Sequence, residues 1–218
     1  VRLARQRDFR VVAQQPADKP LPALDVSDST MRNALGGLAL DKTLIDLFQL
    51  HDFVRRVVAT VDNLPREKLA LRLMPVKLAG GKFLVTGKDG RLAIGADNAA
   101  RYALYLRLAG AIDTGKLVTL YIHFYPLFQK AYAELGYPER YFNDRLVEAL
   151  DDLLAAPDIM TPIKLLQPKV LYQYADSRLE ARSAGQKIML RIGVGNEGLV
   201  KAKLREIRRE ILSRAPKQ

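Results

Sequence analysis

The stretch from residue 117 to residue 154 constrains the fold more than any other part of the chain. Apolar side chains recur alternately four and three residues apart over Leu117–Leu135, which predicts a helix packed along one face. Pro126 lies inside this helix and is expected to kink or break it. Gly136 can end the helix in a left-handed conformation, and a second apolar stripe follows over Phe142–Leu154. So short a corner predicts an antiparallel αα-hairpin.

The second of these helices carries two features that bear on chemistry. Asn143 falls at the centre of its apolar face, where a buried amide without hydrogen-bond partners costs about 1–3 kcal/mol. It is expected either to bond nearby backbone and lock the corner or to line a polar pocket. An acidic stripe at helical spacing is typical of a solvated face, although paired carboxylates can also act as general acid and base. The stripe consists of Asp144, Glu148, Asp151 and Asp152.

The charge of the chain restricts its partners. It has 35 basic and 24 acidic residues among 218, a formal net charge of +11. This balance favours anionic partners such as nucleic acid, anionic lipid or an acidic protein. The chain contains no cysteine, which excludes disulfides and thiolate chemistry. An apolar content of 49% and a charged content of 27% are ordinary for a globular domain, and no apolar run is long enough to cross a bilayer.

Composition divides the chain into three segments. Residues 1–24 are basic at first and then polar and proline-containing, which predicts an extended tether. This tether is either the stalk of a preceding membrane anchor or a simple surface arm. Residues 25–214 are predicted to form a single globular domain, and residues 215–218 are predicted to form a tail.

The remaining pattern predicts an α+β domain that is mainly α. A strong helix is expected over Phe53–Leu64, with its valines directed inward. Phe83–Thr86 and Leu92–Ile94 flank a Gly-Lys-Asp-Gly turn, which predicts a β-hairpin. Extended segments at 163–166 and 170–174 could add to this small antiparallel sheet.

The sequence contains fragments of nucleotide-binding and metal-binding motifs, but the residues around them do not complete either kind of site. Residues 193–198 spell Gly-Val-Gly-Asn-Glu-Gly, but the short remainder of the chain offers no strand to complete a dinucleotide-binding fold. These glycines are predicted to make a helix-to-helix turn. The two histidines, His51 and His123, have no metal-ligand spacing. We therefore expect neither a metal nor a cofactor.

The last predicted helix combines an apolar stripe with a basic surface. Glu206 and Glu210 stand at spacings that form ion pairs within the helix, and no aromatic residue lies nearby to stack on bases. A solvated face is therefore favoured over a nucleic-acid element, with a nucleic acid or a lipid headgroup kept as the alternative ligand. The candidate basic surface consists of Lys201, Arg205, Arg208 and Arg209.

Several strings of the sequence are long enough to compare with known families. They are FVRRVVATVDNLPR (53–66), YPLFQ (125–129), LGYP (135–138), YFNDRL (141–146), PKVLY (168–172) and SAGQK (183–187). Together they resemble a bacterial family catalogued as a domain of unknown function, number three thousand and fourteen in that series. The resemblance covers nearly the whole chain after Pro22, and it implies an envelope protein with one membrane helix and a proline-rich stalk before the domain.

The resemblance also implies a place in the cell and a set of residues to test. It implies a bacterial inner-membrane protein whose domain lies in the periplasm, with an anchor before Val1 and another envelope protein as partner. It supplies no activity. The candidate binding residues are the polar residues of its motifs together with the tyrosine of the corner. They are Asp62, Asn63, Arg66, Tyr137, Asn143, Asp144 and Arg145.

Three functions remain open from the sequence. The favoured one is a non-enzymatic, membrane-tethered domain that binds another envelope component. The second is an enzyme whose site lies at Asn143, Asp144, Arg145 and Glu148, which requires that these side chains converge in a pocket with a perturbed carboxylate. The third is the binding of an anionic ligand through the basic C-terminal helix.

Overall fold

The computed structural model describes residues 20–88 and 90–214, and α-helices dominate it. The α-helices are α1 (Asp28–Gly36), α2 (Lys42–Ile45), α3 (Phe53–Asn63), α4 (Ala103–Ala111), α5 (Thr114–Glu134), α6 (Phe142–Leu154), α7 (Ser177–Glu180), α8 (Ala184–Ile192) and α9 (Val194–Ser213). Short 3₁₀ helices cover Leu24–Val26, Leu71–Leu73 and Ala96–Tyr102. The strands are β1 (Val85–Thr86), β2 (Leu92–Ile94), β3 (Lys164–Leu166) and β4 (Gln173–Tyr174). The prediction of a mainly helical α+β fold is confirmed.

Helices α5 and α6 form the predicted hairpin. Gln129 contacts Phe142 beside the corner, whereas Val118 and Leu150 share an apolar cluster farther away, so the two helices run antiparallel. Gly136 follows the end of α5 with a φ of +113°, a backbone angle that favours glycine. The glycine therefore ends the first helix as its position in the sequence predicts.

Helix α5 continues through Pro126, so the break is wrong as one of the two predicted effects, and the kink stays a prediction. Proline removes one backbone hydrogen bond and crowds the preceding turn. The residues on either side of it, Tyr125 and Leu127, are both buried in the core. We infer that their packing outweighs the loss of a single backbone bond and keeps the segment helical.

The core lies where α3 packs against the hairpin. Val54 and Val58 of α3 are almost completely buried, in one cluster with Phe128 of α5 and Phe142 of α6. On the far side, Ile211 of α9 joins the hairpin in a second cluster. The hairpin is therefore covered on two sides, and its corner is left at one end of the packed helices.

The four strands form one antiparallel sheet in the order β1-β2-β3-β4. Leu92 of β2 stands opposite Leu165 of β3, which in turn stands opposite Tyr174 of β4. The predicted hairpin is confirmed, and the later extended segments do join it, although β4 is limited to Gln173–Tyr174. Leu190 of α8 packs on this sheet and connects it to the helices.

Two further predictions concern the ends of elements and of the chain. Gly193 joins α8 directly to α9 with a φ of +88°, which confirms the helix-to-helix turn. The predicted tether falls almost wholly on residues 1–19, and the predicted tail on 215–218, which lie outside the described residues.

Candidate functional site

The corner of the hairpin opens into a polar cavity of about 580 Å³. The end of α3, the corner itself and the first turns of α6 supply its walls. The lining combines arginine, acidic and tyrosine side chains, a mixture suited to a polar ligand rather than an apolar one. The lining residues are Asp62, Arg66, Tyr132, Tyr137, Glu139, Arg140, Tyr141, Asp144, Arg145 and Glu148.

Asp62 organises one wall of the cavity. Its side chain is only 6% exposed, in the last turn of α3. The Oδ2 atom accepts a hydrogen bond of 2.8 Å from Nη2 of Arg66, and Oδ1 accepts one of 3.1 Å from Nε of Arg145. The main-chain carbonyl of Asp62 also accepts hydrogen bonds from both guanidinium groups. One buried acid therefore fixes the orientation of two arginines from different elements.

Arg145 is fully engaged within this wall. Its side chain is 13% exposed, and Nη1 forms an ion pair of 2.7 Å with Glu148 one turn later in α6.

Arg66 differs from Arg145 because its side chain is 48% exposed. Its Nη2 atom donates to the hydroxyl of Tyr137 at 2.7 Å, and this bond is the main cause of a raised pKa for the guanidinium. Within the described part of the chain, Nη1 of Arg66 makes no hydrogen bond.

Tyr137 lines the cavity beside Arg66 and is held by aromatic packing. Its ring stacks on that of Tyr132, with centroids 4.8 Å apart and planes inclined by 26°. The guanidinium carbon of Arg140 lies 5.8 Å from the Tyr137 centroid, within the range of a cation–π contact. No carboxylate among residues 20–88 and 90–214 pairs with Arg140. Arg140 is thus a second cation at the cavity that is open to a ligand.

Gln129 fixes the shape of the corner from the last turns of α5. Its Nε2 atom donates to the carbonyl of Arg140 at 2.8 Å, and its Oε1 atom accepts from the backbone N–H of Phe142 at 2.9 Å. Tyr125 donates its hydroxyl to the same Oε1 atom at 3.0 Å. These bonds satisfy backbone groups between two helices, where hydrogen bonds are otherwise lacking. Gln129 belongs to the family string YPLFQ, but no pattern in the sequence predicts this role.

Asp144 supplies the perturbed carboxyl group of the cavity. It lies half-buried in the first turn of α6, and burial raises its pKa above the ordinary value. It forms no ion pair with any described residue. A carboxyl group of this kind can accept a hydrogen bond when ionised and donate one when protonated.

The structure brings together five of the seven candidate binding residues. Asp62, Arg66, Tyr137, Asp144 and Arg145 all line the cavity, and Glu148 of the enzyme hypothesis joins them. The other two candidates do not reach the cavity. They are Asn63 and Asn143.

The two asparagines have structural contacts instead. Nδ2 of Asn63 donates to the carbonyl of Ala59 one turn earlier in α3, at 2.7 Å. Asn143 is buried, and its Oδ1 atom accepts a hydrogen bond of 3.1 Å from the hydroxyl of Tyr121 in α5. Neither expectation for Asn143 is correct, since its side chain ties the two helices together through a tyrosine. A helical wheel shows that the amide is buried but cannot identify a partner on another helix.

The remaining cavity residues were not predicted. Tyr132, Glu139, Arg140 and Tyr141 entered no candidate set, and three of them lie in the irregular corner, where no periodicity assigns a direction to a side chain. Tyr141 begins the family string YFNDRL, and for Glu139 and Arg140 the signal available was proximity to the predicted helix end. It would have placed these residues near Tyr137 without showing that they face the same space.

The proposed basic surface of the C-terminal helix is largely used for internal contacts. Lys201 is 3% exposed, and its Nζ atom donates to the carbonyl of Ala156 at 2.6 Å while contacting the carboxylates of Asp158 and Glu197 at 2.8 Å and 2.9 Å. The assignment of Lys201 to the surface is therefore wrong. Arg208 forms an ion pair of 2.6 Å with Asp151 of α6.

What remains of the basic surface is small. Arg205 and Arg209 are exposed and form no ion pair among the described residues. The acidic side chains predicted to neutralise this helix do so in part, since Glu206 pairs with Lys203 at 3.1 Å and Glu210 with Arg214 at 2.7 Å. The geometry therefore gives less support to this surface than to the corner cavity.

Two general features of the described residues bear on other kinds of site. No helix within 20–88 and 90–214 has both the length and the apolar character of a membrane span. Over the same ranges, no three side chains of histidine or acidic residues converge as metal ligands would.

Comparison with known proteins yields one match. The sequence model of a family described as "Protein of unknown function (DUF3014)" matches residues 53–208. This span runs from the start of α3 into α9 and contains every residue that lines the corner cavity. No curated protein and no solved structure matches the chain.

Proposed function

The chain belongs to the DUF3014 family, and we propose that it is a non-enzymatic binding domain whose corner cavity receives an acidic peptide segment of another protein of the bacterial envelope. The observation that carries this proposal is the pair of guanidinium groups, Arg66 and Arg140, that face the cavity with hydrogen-bonding capacity to spare. Arginine binds carboxylates through a planar fork of N–H groups, which makes such a pair suitable for an acidic side chain or a chain terminus.

The rigidity of the cavity supports binding. Asp62 holds Arg66 and Arg145 in place, Gln129 holds the corner backbone, and stacking on Tyr132 holds Tyr137. A ligand would therefore meet donors whose orientation is already set, and little side-chain entropy would be lost on binding. We expect the free and bound forms of the corner to differ little.

The acidic side chains of the cavity favour a peptide over a polyanion. Glu139 and Asp144 line the same space as the arginines. Their charges would repel a ligand with a phosphate at every unit more strongly than a peptide that places a single carboxylate between the arginines, and they can accept hydrogen bonds from backbone N–H groups. A peptide segment offers both a carboxylate for the arginines and N–H donors for the acids. The net charge of +11 favours an acidic partner over the whole surface.

The partner and its location rest on the family resemblance. That resemblance supports a domain held in the periplasm by an inner-membrane anchor, with another envelope protein as its ligand. Fractionation of bacteria that produce the native gene product tests the location. Recovery of the protein in the cytosolic fraction would contradict it.

Binding by the cavity is tested by comparing matched arginine variants. R66Q with R140Q removes the two open guanidinium groups, whereas R205Q with R209Q removes the same charge from α9. Both proteins and the wild type are titrated with an array of immobilised acidic and neutral peptides. We expect the cavity variant to lose about tenfold or more in affinity for acidic peptides, because a hydrogen bond to a charged group contributes about 1.5–3 kcal/mol.

The outcomes of that titration separate a cavity from general electrostatic attraction. Loss in the cavity variant with little change in the α9 variant supports the proposal. Equal losses in both variants would show that net charge alone attracts the peptides. Binding that survives in the cavity variant would exclude the arginines as the binding groups.

An enzyme remains the second candidate because of one observation, the raised pKa of Asp144 within the cavity. A carboxyl group with a raised pKa suits general acid catalysis. Against this reading, Asn143 faces away from the cavity, and Arg145 and Glu148 neutralise each other. D144N separates the two functions. A binding domain shows no turnover of a bound peptide in the wild type or in D144N, whereas an enzyme would show turnover in the wild type that D144N abolishes.

A further inference from the structure

The two hairpins of the sheet present their tips at the same end. The turn at 87–91 precedes β2, and the loop at 167–172 follows β3. Strands β2 and β3 are antiparallel and pair Leu92 with Leu165, so the start of one lies beside the end of the other. Both connections therefore emerge side by side, on elements that supply none of the residues of the corner cavity.

This end of the sheet carries unusually exposed aliphatic side chains. Val170 is 86% exposed and Leu171 is 77% exposed, and they are neighbours in the loop at 167–172. Leu166, at the end of β3, is 48% exposed. An isolated exposed leucine is ordinary on a protein surface, whereas adjacent exposed aliphatic residues at the tip of a loop form a small apolar patch that is a candidate contact site.

Basic residues lie in both connections at this end of the sheet. Lys88 and Arg91 lie in the neighbouring turn, and Lys169 directly precedes Val170. All three are exposed, and none forms an ion pair with another described residue. The one acidic residue of the turn, Asp89, lies outside the described residues.

We propose that this end of the sheet, from here on the sheet tip, contacts an anionic lipid surface, with Val170 and Leu171 entering the boundary between headgroups and acyl chains. The unpaired cations supply charge complementarity to anionic headgroups. The high exposure of the aliphatic pair selects lipid over a folded protein. A protruding side chain open on most sides is surrounded readily by a fluid acyl layer, whereas a rigid protein surface would need a matching pocket.

This inference goes beyond the peptide-binding function and does not depend on it. The sheet tip and the corner cavity share no residue, so variants of one leave the other unchanged. A domain that contacts the membrane at the sheet tip would have a fixed orientation relative to the bilayer. The corner cavity would then be presented in a fixed direction to its partner.

Co-sedimentation with lipid vesicles tests the proposal on the full chain. Vesicles of phosphatidylcholine mixed with phosphatidylglycerol are compared with vesicles of phosphatidylcholine alone. We expect the wild type to bind the anionic vesicles and to bind less as salt is added, because salt screens the cations. V170S with L171S should lower the partition coefficient about tenfold or more, since two aliphatic groups no longer leave water.

Charge variants and a matched apolar variant complete the test. Substitution of Lys88, Arg91 and Lys169 by glutamine should weaken binding about fivefold for each cation, and only on anionic vesicles. L199S alters another exposed leucine, on α9 and 63% exposed, and should bind as the wild type does. Each substitution is at an exposed position, and thermal unfolding is used to check that the variants remain folded.

Three outcomes would overturn the proposal. The first is a wild type that does not sediment with anionic vesicles. The second is equal binding by the wild type and the V170S/L171S variant. The third is the loss of binding in R205Q with R209Q but not in V170S with L171S, which would assign lipid contact to the C-terminal helix instead.

Discussion

Replacing Asp62 by alanine tests the organisation of the corner cavity most directly. The substitution removes both carboxylate oxygens and with them the side-chain bonds to Arg66 at 2.8 Å and Arg145 at 3.1 Å. Arg66 is half exposed and can be solvated again by water. Arg145 is 13% exposed and keeps only Glu148 and the main-chain carbonyl of residue 62 as partners.

The magnitude follows from these two different environments. Removing one partner of a fully buried ion pair costs about 3–5 kcal/mol, and a single hydrogen bond to a charged group contributes about 1.5–3 kcal/mol. Because Arg66 recovers hydration and Arg145 keeps part of its partners, we expect a loss of about 3 kcal/mol in the free energy of unfolding. For a chain of this length, that corresponds to a Tm lower by about 6–12 °C.

Urea unfolding followed by circular dichroism measures this loss. The matched control is E148A, which removes the other acidic side chain that pairs with Arg145. Because Glu148 is exposed, E148A should lower the free energy of unfolding by less than about 1 kcal/mol. A D62A protein that loses no more stability than E148A would refute the reasoning. It would mean that Asp62 does not hold the two arginines in solution.

Three further predictions concern other parts of the molecule. G87A should destabilise the chain by about 1–3 kcal/mol in urea unfolding, because φ is +91° and a Cβ would collide with the backbone at the far side of the turn; G90A, in open space, should cost less. D144N should raise the unfolding free energy at neutral pH. The folded chain binds the proton of the Asp144 carboxyl group more tightly than the unfolded chain does, so ionisation of Asp144 lowers the free energy of unfolding as pH rises through the raised pKa. In urea titrations, the gain in stability from D144N should vanish below the ordinary carboxyl pKa. K201M should cost about 3 kcal/mol by leaving the buried Glu197 carboxylate unpaired, and E197Q in the same chain should recover most of that loss in thermal and urea unfolding.

The sequence was sufficient for elements that depend on local periodicity. The helical hairpin, the β-hairpin and the glycine turn at Gly193 all follow from spacings within a few residues, and all occur in the structure. The family strings also name residues that line one cavity, with Asp62 and Arg66 in one segment and Asp144 and Arg145 in another. Nothing in those strings showed that α3 and α6 pack against each other.

Features that depend on contacts between distant elements were beyond sequence reasoning. Lys201 stands beside an apolar stripe and carries a charge, so a surface position was the natural prediction. Its burial depends on the carbonyl of Ala156 and the carboxylate of Asp158. The continuity of the helix through Pro126 likewise depends on how deeply its neighbours are packed. In each case the deciding partner lies on another element of the fold.

The register of the sheet has a consequence for the order of folding. Each hairpin closes a short loop, but the pairing of β2 with β3 joins residues about seventy positions apart, with α4, α5 and α6 between them. Closing so long a loop carries a large entropy cost unless the intervening chain is already compact. We therefore expect the helical hairpin to form early and the sheet to close late. Because the chain lacks tryptophan, tyrosine fluorescence is its intrinsic optical probe, and Tyr174 is buried where the last strand joins. The sheet tip would then be completed only when the rest of the domain is in place.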